Sequence, residues 1–175
     1  MKRKKRSFSG SDRIRGSRWR GPRWLRVLLW FLLLLNMAVI FAFSAKTGKQ
    51  STAASDAVLA KPMEVYASIR PEAAGDAAVY WWFQFIVRKG AHMLEFAALC
   101  IWASALLLSY RIRPAIPLGG GFAVLYAASD ELHQLLVPGR DARFTDWLFD
   151  SLGALAGMLA VYLIEKHIRK RTEGA

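Results

Sequence analysis

The feature that most constrains this chain is an uncharged apolar run at residues 27–43, directly after a strongly basic segment. The run is 17 residues long, which is enough for a marginal helical span of a bilayer. Eleven Lys and Arg residues lie in residues 1–26, and a basic block before an apolar run is typical of the cytoplasmic flank of a membrane helix. We therefore expect a first span over residues 25–43, after a basic, disordered cytoplasmic tail over residues 1–26.

A cleaved signal peptide is the competing interpretation of this start. The tripeptide Ala42-Phe43-Ser44 loosely resembles a cleavage site. However, the basic region is long for a signal peptide, and three more apolar segments follow the first. These two features favour an uncleaved span.

Three later segments predict further spans, over residues 91–110, 115–137 and 147–164. In the first two of these, the uncharged parts are residues 96–110 and 115–129, each only 15 residues long. Each must therefore take in ionisable residues at one end to cross a bilayer. The prediction is an all-α, integral membrane four-helix bundle over residues 27–165, followed by a short basic tail at residues 166–175.

Between the first two spans, residues 44–90 are rich in polar and small residues and predict an outer loop. Within it we expect two short surface helices, at residues 52–59 and 63–69. The aromatic cluster at residues 79–83 is of the kind that anchors a chain at a membrane interface.

The distribution of basic residues predicts the topology. With four spans, both termini lie on one side of the membrane, and that side carries 17 Lys and Arg residues against eight on the other. The excess predicts a multi-pass cell-membrane protein with both termini in the cytoplasm. The ionisable ends of the second, third and fourth spans then meet at the outer face.

The overall charge is formally +12, although 54% of the residues are hydrophobic. The basic residues are segregated from the apolar runs, so the chain does not have the basic face of a nucleic-acid-binding domain. We expect contact with anionic membrane lipid and no specific nucleic-acid binding. The single cysteine, Cys100, lies in an apolar run and is predicted to be a small buried residue.

Polar residues are concentrated at residues 88–95 and 129–150, where they stand at the predicted ends of spans. Ionisable groups in such places are expensive and are usually paired or functional. We predict one outward-facing polar cluster that binds a ligand. Its members are Arg88, Lys89, His92, Glu95, Asp130, Glu131, His133, Gln134, Arg140, Asp146 and Asp150.

Helical spacing arranges these residues on shared faces. Arg88, His92 and Glu95 lie on one face of a helix, and Asp130, His133 and Gln134 do the same on the next span, with Glu131 about a quarter-turn away. Such a cluster could be purely structural, held by ion pairs such as Arg88–Glu95 or Arg140–Asp146.

Two functional interpretations use the same residues. In the first, carboxylates crowded near a low-dielectric boundary do acid–base chemistry, with Glu131 and His133 as candidate catalytic groups. Alternatively, Arg140 and Arg143 hold a phosphate or carboxylate.

A metal site is a third interpretation of the cluster. His92, Glu95 and His133 are the candidate ligands, joined by one of two acidic residues, Asp130 or Glu131. The sequence contains no established zinc signature, so we predict no cofactor and expect no metal.

Two motifs in this region resemble those of a known family, the VanZ-like membrane proteins. The first is residues 88–96, and the second comprises residues 129–134 and 137–140 with Asp146 and Asp150 before Gly153-Ala154. The family is named for a protein linked to resistance to the glycopeptide teicoplanin. The resemblance covers residues 36–162 and implies a role at the cell envelope, but it implies no reaction. At the position of Asp150 the family has either Asn or Asp.

The sequence and this resemblance lead to one expectation. The outward-facing pocket binds or modifies a lipid-linked cell-wall precursor, another cell-wall component or the glycopeptide itself, and thereby affects teicoplanin susceptibility. The alternatives are a membrane-embedded hydrolase or transferase that uses Glu131 and His133, and a purely structural membrane protein. The sequence leaves open whether the protein is an enzyme, and its oligomeric state. A proton pathway is disfavoured because the inner halves of the spans carry no ionisable residue.

Overall fold

The computed structural model describes residues 22–73 and 75–173, and the regular structure within them is entirely helical. The predicted all-α class is therefore confirmed. Of the predicted basic tail at residues 1–26, residues 1–21 lie outside the described residues. The helices are α1 (Arg23–Ser44), α2 (Gly48–Ile69), α3 (Ala77–Ser109), α4 (Ala115–Gln134) and α5 (Phe144–Glu173), and a 3-10 turn lies at Pro71–Ala73.

Three of these helices, α1, α3 and α5, are long and apolar enough to cross a membrane by length and composition. They match the predicted first, second and fourth spans. Many of their large apolar side chains are exposed, among them Phe31, Leu94 and Leu159. An apolar outer surface on apolar helices is the character of a membrane protein, because lipid tails can cover that surface.

The predicted third span corresponds to α4, which does not reach the same combination of length and apolar character within the described part of the chain. The reason is its composition. Its hydropathy is lowered by three consecutive glycines, Gly119, Gly120 and Gly121, which add no apolar side chain. Two acidic residues in its last turns, Asp130 and Glu131, lower it further. The four-span bundle and the cytoplasmic position of both termini stay predictions.

The segment at residues 44–90 differs from the predicted outer loop, because most of it is helical. The two expected short helices are one continuous helix, α2, with Pro62 in its interior. A proline inside a helical pattern is a probable stop but not a certain one. The helix starts at a capping box, in which the Thr47 side chain accepts a hydrogen bond from the Gln50 backbone and the Gln50 side chain accepts one from Thr47.

Helix α3 also begins earlier than predicted, at Ala77 rather than near residue 91. Asp76 is its N-cap, and its side chain accepts a hydrogen bond from the Ala78 backbone at 2.8 Å. The aromatic cluster that was predicted to lie in a loop therefore forms the first turns of a 33-residue helix. At the other end of the chain, α5 continues to Glu173, so most of the predicted C-terminal tail is helical.

Helix α3 is the centre of the bundle, since α1, α2, α4 and α5 all pack against it. The most completely buried apolar residues of the core include Phe96, Leu99 and Cys100 of α3 and Ile40 of α1. Cys100 is buried, as predicted from the sequence.

Two glycines allow α5 to lie close to α3. A methyl group at Gly153 would collide with the backbone of Met93, and one at Gly157 would collide with the backbone carbonyl of Ala97. Small residues at such contacts let helix backbones approach in lipid. Gly153 and Gly157 have GxxxG spacing, and the contacts of both lie within the bundle.

We predict that Gly153→Ala lowers the thermal unfolding temperature of the detergent-solubilised protein. The added methyl group meets backbone atoms of Met93 rather than a flexible side chain, and overpacking of this kind costs about 1–3 kcal/mol. Gly121→Ala is the matched control, because nothing lies within 4 Å of its added carbon and alanine favours the helix. Equal unfolding temperatures for the two variants would contradict this packing.

Candidate functional site

The polar cluster predicted from the sequence is largely assembled by the fold. A cavity of about 10 Å³, about the space of one water molecule, lies between α3, α4, α5 and the α4–α5 loop at residues 135–143. Eight of the eleven predicted binding residues line it: Arg88, Lys89, His92, Glu131, Gln134, Arg140, Asp146 and Asp150. Their binding role stays a prediction, but the structure brings them together.

Asp130 lies at the base of this cluster, with only 5% of its surface exposed. One of its carboxylate oxygens, Oδ2, accepts a hydrogen bond from the Ser44 hydroxyl at 2.7 Å and another from the Gln134 amide at 3.0 Å. A buried carboxylate is costly unless hydrogen bonds satisfy it. The bond from Ser44 therefore joins the end of α1 to α4, and the bond from Gln134 lies within the last turns of α4.

Arg140 of the α4–α5 loop extends this network to the backbone of α1. Its Nε donates to the carbonyl of Lys46 at 3.1 Å and its Nη2 to the carbonyl of Phe43 at 3.2 Å. Its Nη1 donates to the Gln134 side chain at 3.4 Å. The last carbonyls of a helix have no partner within the helix and carry partial negative charge, so a cation is favourable there.

Two further contacts fix the loop and the start of α5. The Lys89 ammonium lies 2.6 Å from the Asp146 carboxylate, in a partly buried ion pair between α3 and α5. The Glu131 carboxylate accepts a hydrogen bond from the backbone N–H of Arg143 at 3.0 Å. Neither of the ion pairs suggested as examples, Arg88–Glu95 and Arg140–Asp146, forms among the described residues, and Asp146 pairs with Lys89 instead.

His92 and Asp150 face each other across the small cavity. The Nδ1 of His92 and the Oδ1 of Asp150 are 3.7 Å apart, which is too far for a hydrogen bond. The Nδ1 of His92 and the Oδ2 of Asp150 are both buried without a hydrogen-bond partner among the described residues. Asp150 is 2% exposed, so it is a buried carboxyl group with unused hydrogen-bonding capacity.

Two larger, open clefts adjoin the small cavity. One, of about 560 Å³, lies over α3, α5 and the α4–α5 loop, and the other, of about 230 Å³, lies between α2 and α3. Arg88 and Arg140 line both clefts and the small cavity. The larger cleft has four basic residues against two acidic ones and three aromatic residues: Arg88, Lys89, Arg140 and Arg143, then Asp141 and Asp146, then Trp81, Phe85 and Phe149.

The two arginines at this junction differ in their contacts. Arg140 is satisfied by the carbonyls described above, and burial, followed by the like charge of Arg88, lowers its pKa. Arg88 makes no hydrogen bond and no ion pair within residues 22–73 and 75–173. A guanidinium carries five N–H donors and favours carboxylate or phosphate partners. The junction therefore presents an uncompensated positive charge to both clefts.

The other predicted site residues have different surroundings. Glu95 lines the cleft between α2 and α3. His133 stacks on the ring of Phe41 with centroids 4.6 Å apart, whereas Glu131 lines the small cavity. The structure does not bring Glu131 and His133 together as an acid–base pair.

The proposed metal ligands are likewise separate. Within the described ranges, no group of three or more His, Cys, Asp or Glu side chains is placed to hold a metal ion. His92, Glu95 and His133 therefore do not form a metal-binding set in this structure.

Sequence reasoning missed two polar residues of this region. Ser44 ends an apolar run, and nothing in its spacing shows that it is fully buried against Asp130. Gln84 is 3% exposed and lines the larger cleft. Its signal was available, because Tyr80, Gln84 and Arg88 recur every four residues and share a face of the helix, but the segment was expected to be a loop.

Comparison with known proteins identifies one family. The family model described as VanZ/LLP1 matches residues 29–165. This range contains α1 from its second turn, all of α2, α3 and α4, and most of α5. No curated protein and no solved structure matches the chain.

We predict that Arg140→Gln destabilises the protein by about 2 kcal/mol, because it removes a charged donor from three acceptors. Backbone amides in the last turn of α1 should exchange with deuterium faster in the variant than in the wild-type protein. Arg143→Gln is the control, since this exposed side chain pairs only with exposed Asp141 and should contribute almost nothing. Unchanged exchange at the end of α1 in Arg140→Gln would show that this contact does not hold the helix end.

Proposed function

We propose that this chain, which belongs to the VanZ/LLP1 family, is a membrane protein that binds an anionic group of a membrane-anchored cell-envelope molecule. The binding site is the larger cleft, beside Arg88 and Arg140. The observation that carries the proposal is the guanidinium of Arg88, which makes no hydrogen bond or ion pair among the described residues and lies at the junction of the two clefts.

The charge of Arg88 has a physical cost that a ligand would offset. Placing two cations next to each other is unfavourable, and here the neighbouring cation is Arg140, whose pKa is lowered by burial and then by the charge of Arg88. A phosphate or carboxylate between the two guanidiniums would accept charge-assisted hydrogen bonds from both. A purely structural cluster has no need of an unpaired arginine, so this residue favours a binding role.

The form of the larger cleft supports the same proposal. Its volume of about 560 Å³ is within the range of about 300–1,000 Å³ that is usual for small-molecule sites. Trp81, Phe85 and Phe149 give it an apolar wall beside the charged one. Such a combination suits a molecule with an anionic group and an apolar or ring-containing part.

The apolar outer surface of α3 and α5 favours a ligand that is itself held in the membrane. A lipid-linked cell-wall precursor has this character. Binding of such a molecule at the outer face, with both termini in the cytoplasm, is how we propose that the protein affects susceptibility to teicoplanin, a glycopeptide that acts on the cell wall. The family resemblance is the basis of this drug link.

The alternative function, a membrane-embedded hydrolase or transferase, has less support. It was based on Glu131 and His133 as an acid–base pair, and these side chains have separate surroundings. Binding alone requires only the contacts that the cleft offers.

We predict that wild-type protein raises teicoplanin resistance in a host that lacks the gene, and that Arg88→Gln abolishes this protection. The substitution removes the unpaired charge and breaks no hydrogen bond or ion pair among the described residues, so the protein should insert and fold normally. The measurement is the minimal inhibitory concentration, with the amount of each variant in the membrane quantified.

Arg70→Gln is the matched control for this experiment. Arg70 is exposed, pairs only with exposed Glu72 and lies outside both clefts, so its loss should leave protection unchanged. Equal protection by wild type and well-inserted Arg88→Gln would reject the cleft as the working site. A wild-type protein that gives no protection at all would reject the drug link for this chain.

A further inference from the structure

We infer that the larger cleft selects a phosphate that carries a hydroxyl-bearing group, such as glycerol or a sugar, and that Gln84 accepts the hydrogen bond of that hydroxyl. This inference rests on the proposed function, because it assumes that Arg88 and Arg140 hold the anionic group. It adds a specificity-determining residue and a chemical class of ligand.

The orientation of the Gln84 amide is fixed by its neighbours. Its Nε2 donates to the Asp56 carboxylate at 2.6 Å and to the Tyr80 hydroxyl at 3.0 Å. The Tyr80 hydroxyl in turn donates to the same carboxylate oxygen of Asp56 at 2.6 Å. A carboxylate only accepts hydrogen bonds, so the amide must present its NH₂ group to Asp56 and its carbonyl oxygen to the opposite side.

The carbonyl oxygen of Gln84 has no hydrogen-bond partner among the described residues. The atom Oε1 is buried and accepts no hydrogen bond from the described residues. The side chain is 3% exposed and forms part of the wall of the larger cleft. An unsatisfied buried acceptor costs about 1–3 kcal/mol, and a donor supplied by a ligand would recover that cost. Gln84 cannot turn its amide to avoid the cost, because Asp56 and Tyr80 hold the other end.

The position of Gln84 relative to Arg88 defines the ligand. The two residues are four apart on α3, which places their Cβ atoms about 6 Å from each other on one face of the helix. A group that binds both must therefore carry an anion and a hydrogen-bond donor separated by a short link. A phosphate ester of glycerol or of a sugar has this arrangement, whereas a phosphate ester of a simple alkyl group has the anion but no donor.

The aromatic wall agrees with this class of ligand. Trp81 is three residues before Gln84, lies in the wall of the same cleft and is 60% exposed. An exposed indole offers a flat apolar face on which the C–H surface of a sugar or glycerol can pack. Anion, hydroxyl and C–H surface would then each meet a matching group on one stretch of α3.

The test compares matched probes on the full-length protein in detergent. The first pair is phosphatidylglycerol and phosphatidylethanol, which have the same charge and differ in the hydroxyls of the headgroup; their binding is measured by native mass spectrometry. The second pair is glucose 1-phosphate and ethyl phosphate, measured by calorimetry. The first pair tests a lipid headgroup and the second a sugar phosphate as the source of the same chemistry.

We expect wild-type protein to bind the hydroxyl-bearing member of at least one pair about tenfold more tightly, which is the usual contribution of one satisfied acceptor. Gln84→Leu should bind both members of that pair with the affinity that wild type has for the hydroxyl-free probe. Gln50→Leu is the control, because it removes a capping bond of α2 away from the larger cleft, and it should keep the preference.

The outcomes separate this inference from the proposed function. Equal binding of both members of both pairs by wild type, or a preference that survives in Gln84→Leu, overturns the role of Gln84. Equal binding by wild type overturns the role of Gln84 whether or not Gln84→Leu folds. Absence of binding by any probe, or unchanged affinity in Arg88→Gln, contradicts the anionic site itself and, with it, this inference.

Discussion

The contact between Arg140 and the end of α1 is the interaction on which the polar end of the molecule depends. The guanidinium binds the backbone carbonyl of Phe43 in the last turn of α1, the carbonyl of Lys46 just after the helix, and the side chain of Gln134. Through Gln134 it reaches Asp130, a buried carboxylate that makes no direct ion pair among the described residues. One loop residue thus supplies the helix end with donors and the buried carboxylate with a nearby positive charge. These contacts use three of the five N–H donors of Arg140, so Arg140 can still contact an anion together with Arg88, whose side chain makes no hydrogen bond or ion pair among the described residues.

Much of this arrangement could be predicted from the sequence, because apolar runs and charges follow strong physical rules. The run at residues 27–43 predicted α1, and the need for ionisable residues at the ends of the later spans predicted that Glu131, Arg140 and Asp146 would meet. A membrane offers few places where such groups are tolerated. The constraint therefore brings together residues that are far apart in the chain, although it does not say which pairs will form.

The details that could not be predicted depend on local competition between alternatives. Asp146 was expected to pair with Arg140, but it forms its ion pair with Lys89. Two short helices were expected on either side of Pro62, yet the capped and alanine-rich helix α2 continues through this proline. The sequence pattern places His133 on the same helical face as Asp130, but the ring of His133 stacks on the ring of Phe41. The N-cap at Asp76 was visible in the sequence, and recognising it would have placed Gln84 and Arg88 on one helix.

Helix α3 is longer than a helix needs to be to cross the hydrocarbon core of a membrane. At about 1.5 Å per residue, a helix of this kind is about 50 Å long, whereas a hydrocarbon core needs only about 20 residues. Counted back from Ser109, that requirement ends close to Gly90, immediately beside Arg88 and Lys89. With one edge of the span placed at Ser109, α3 would set the cleft at the level of the opposite hydrocarbon boundary. Tilting is one way in which a helix adapts to a bilayer of different thickness, and because Arg88 and Lys89 belong to α3, that wall of the cleft would tilt together with the span.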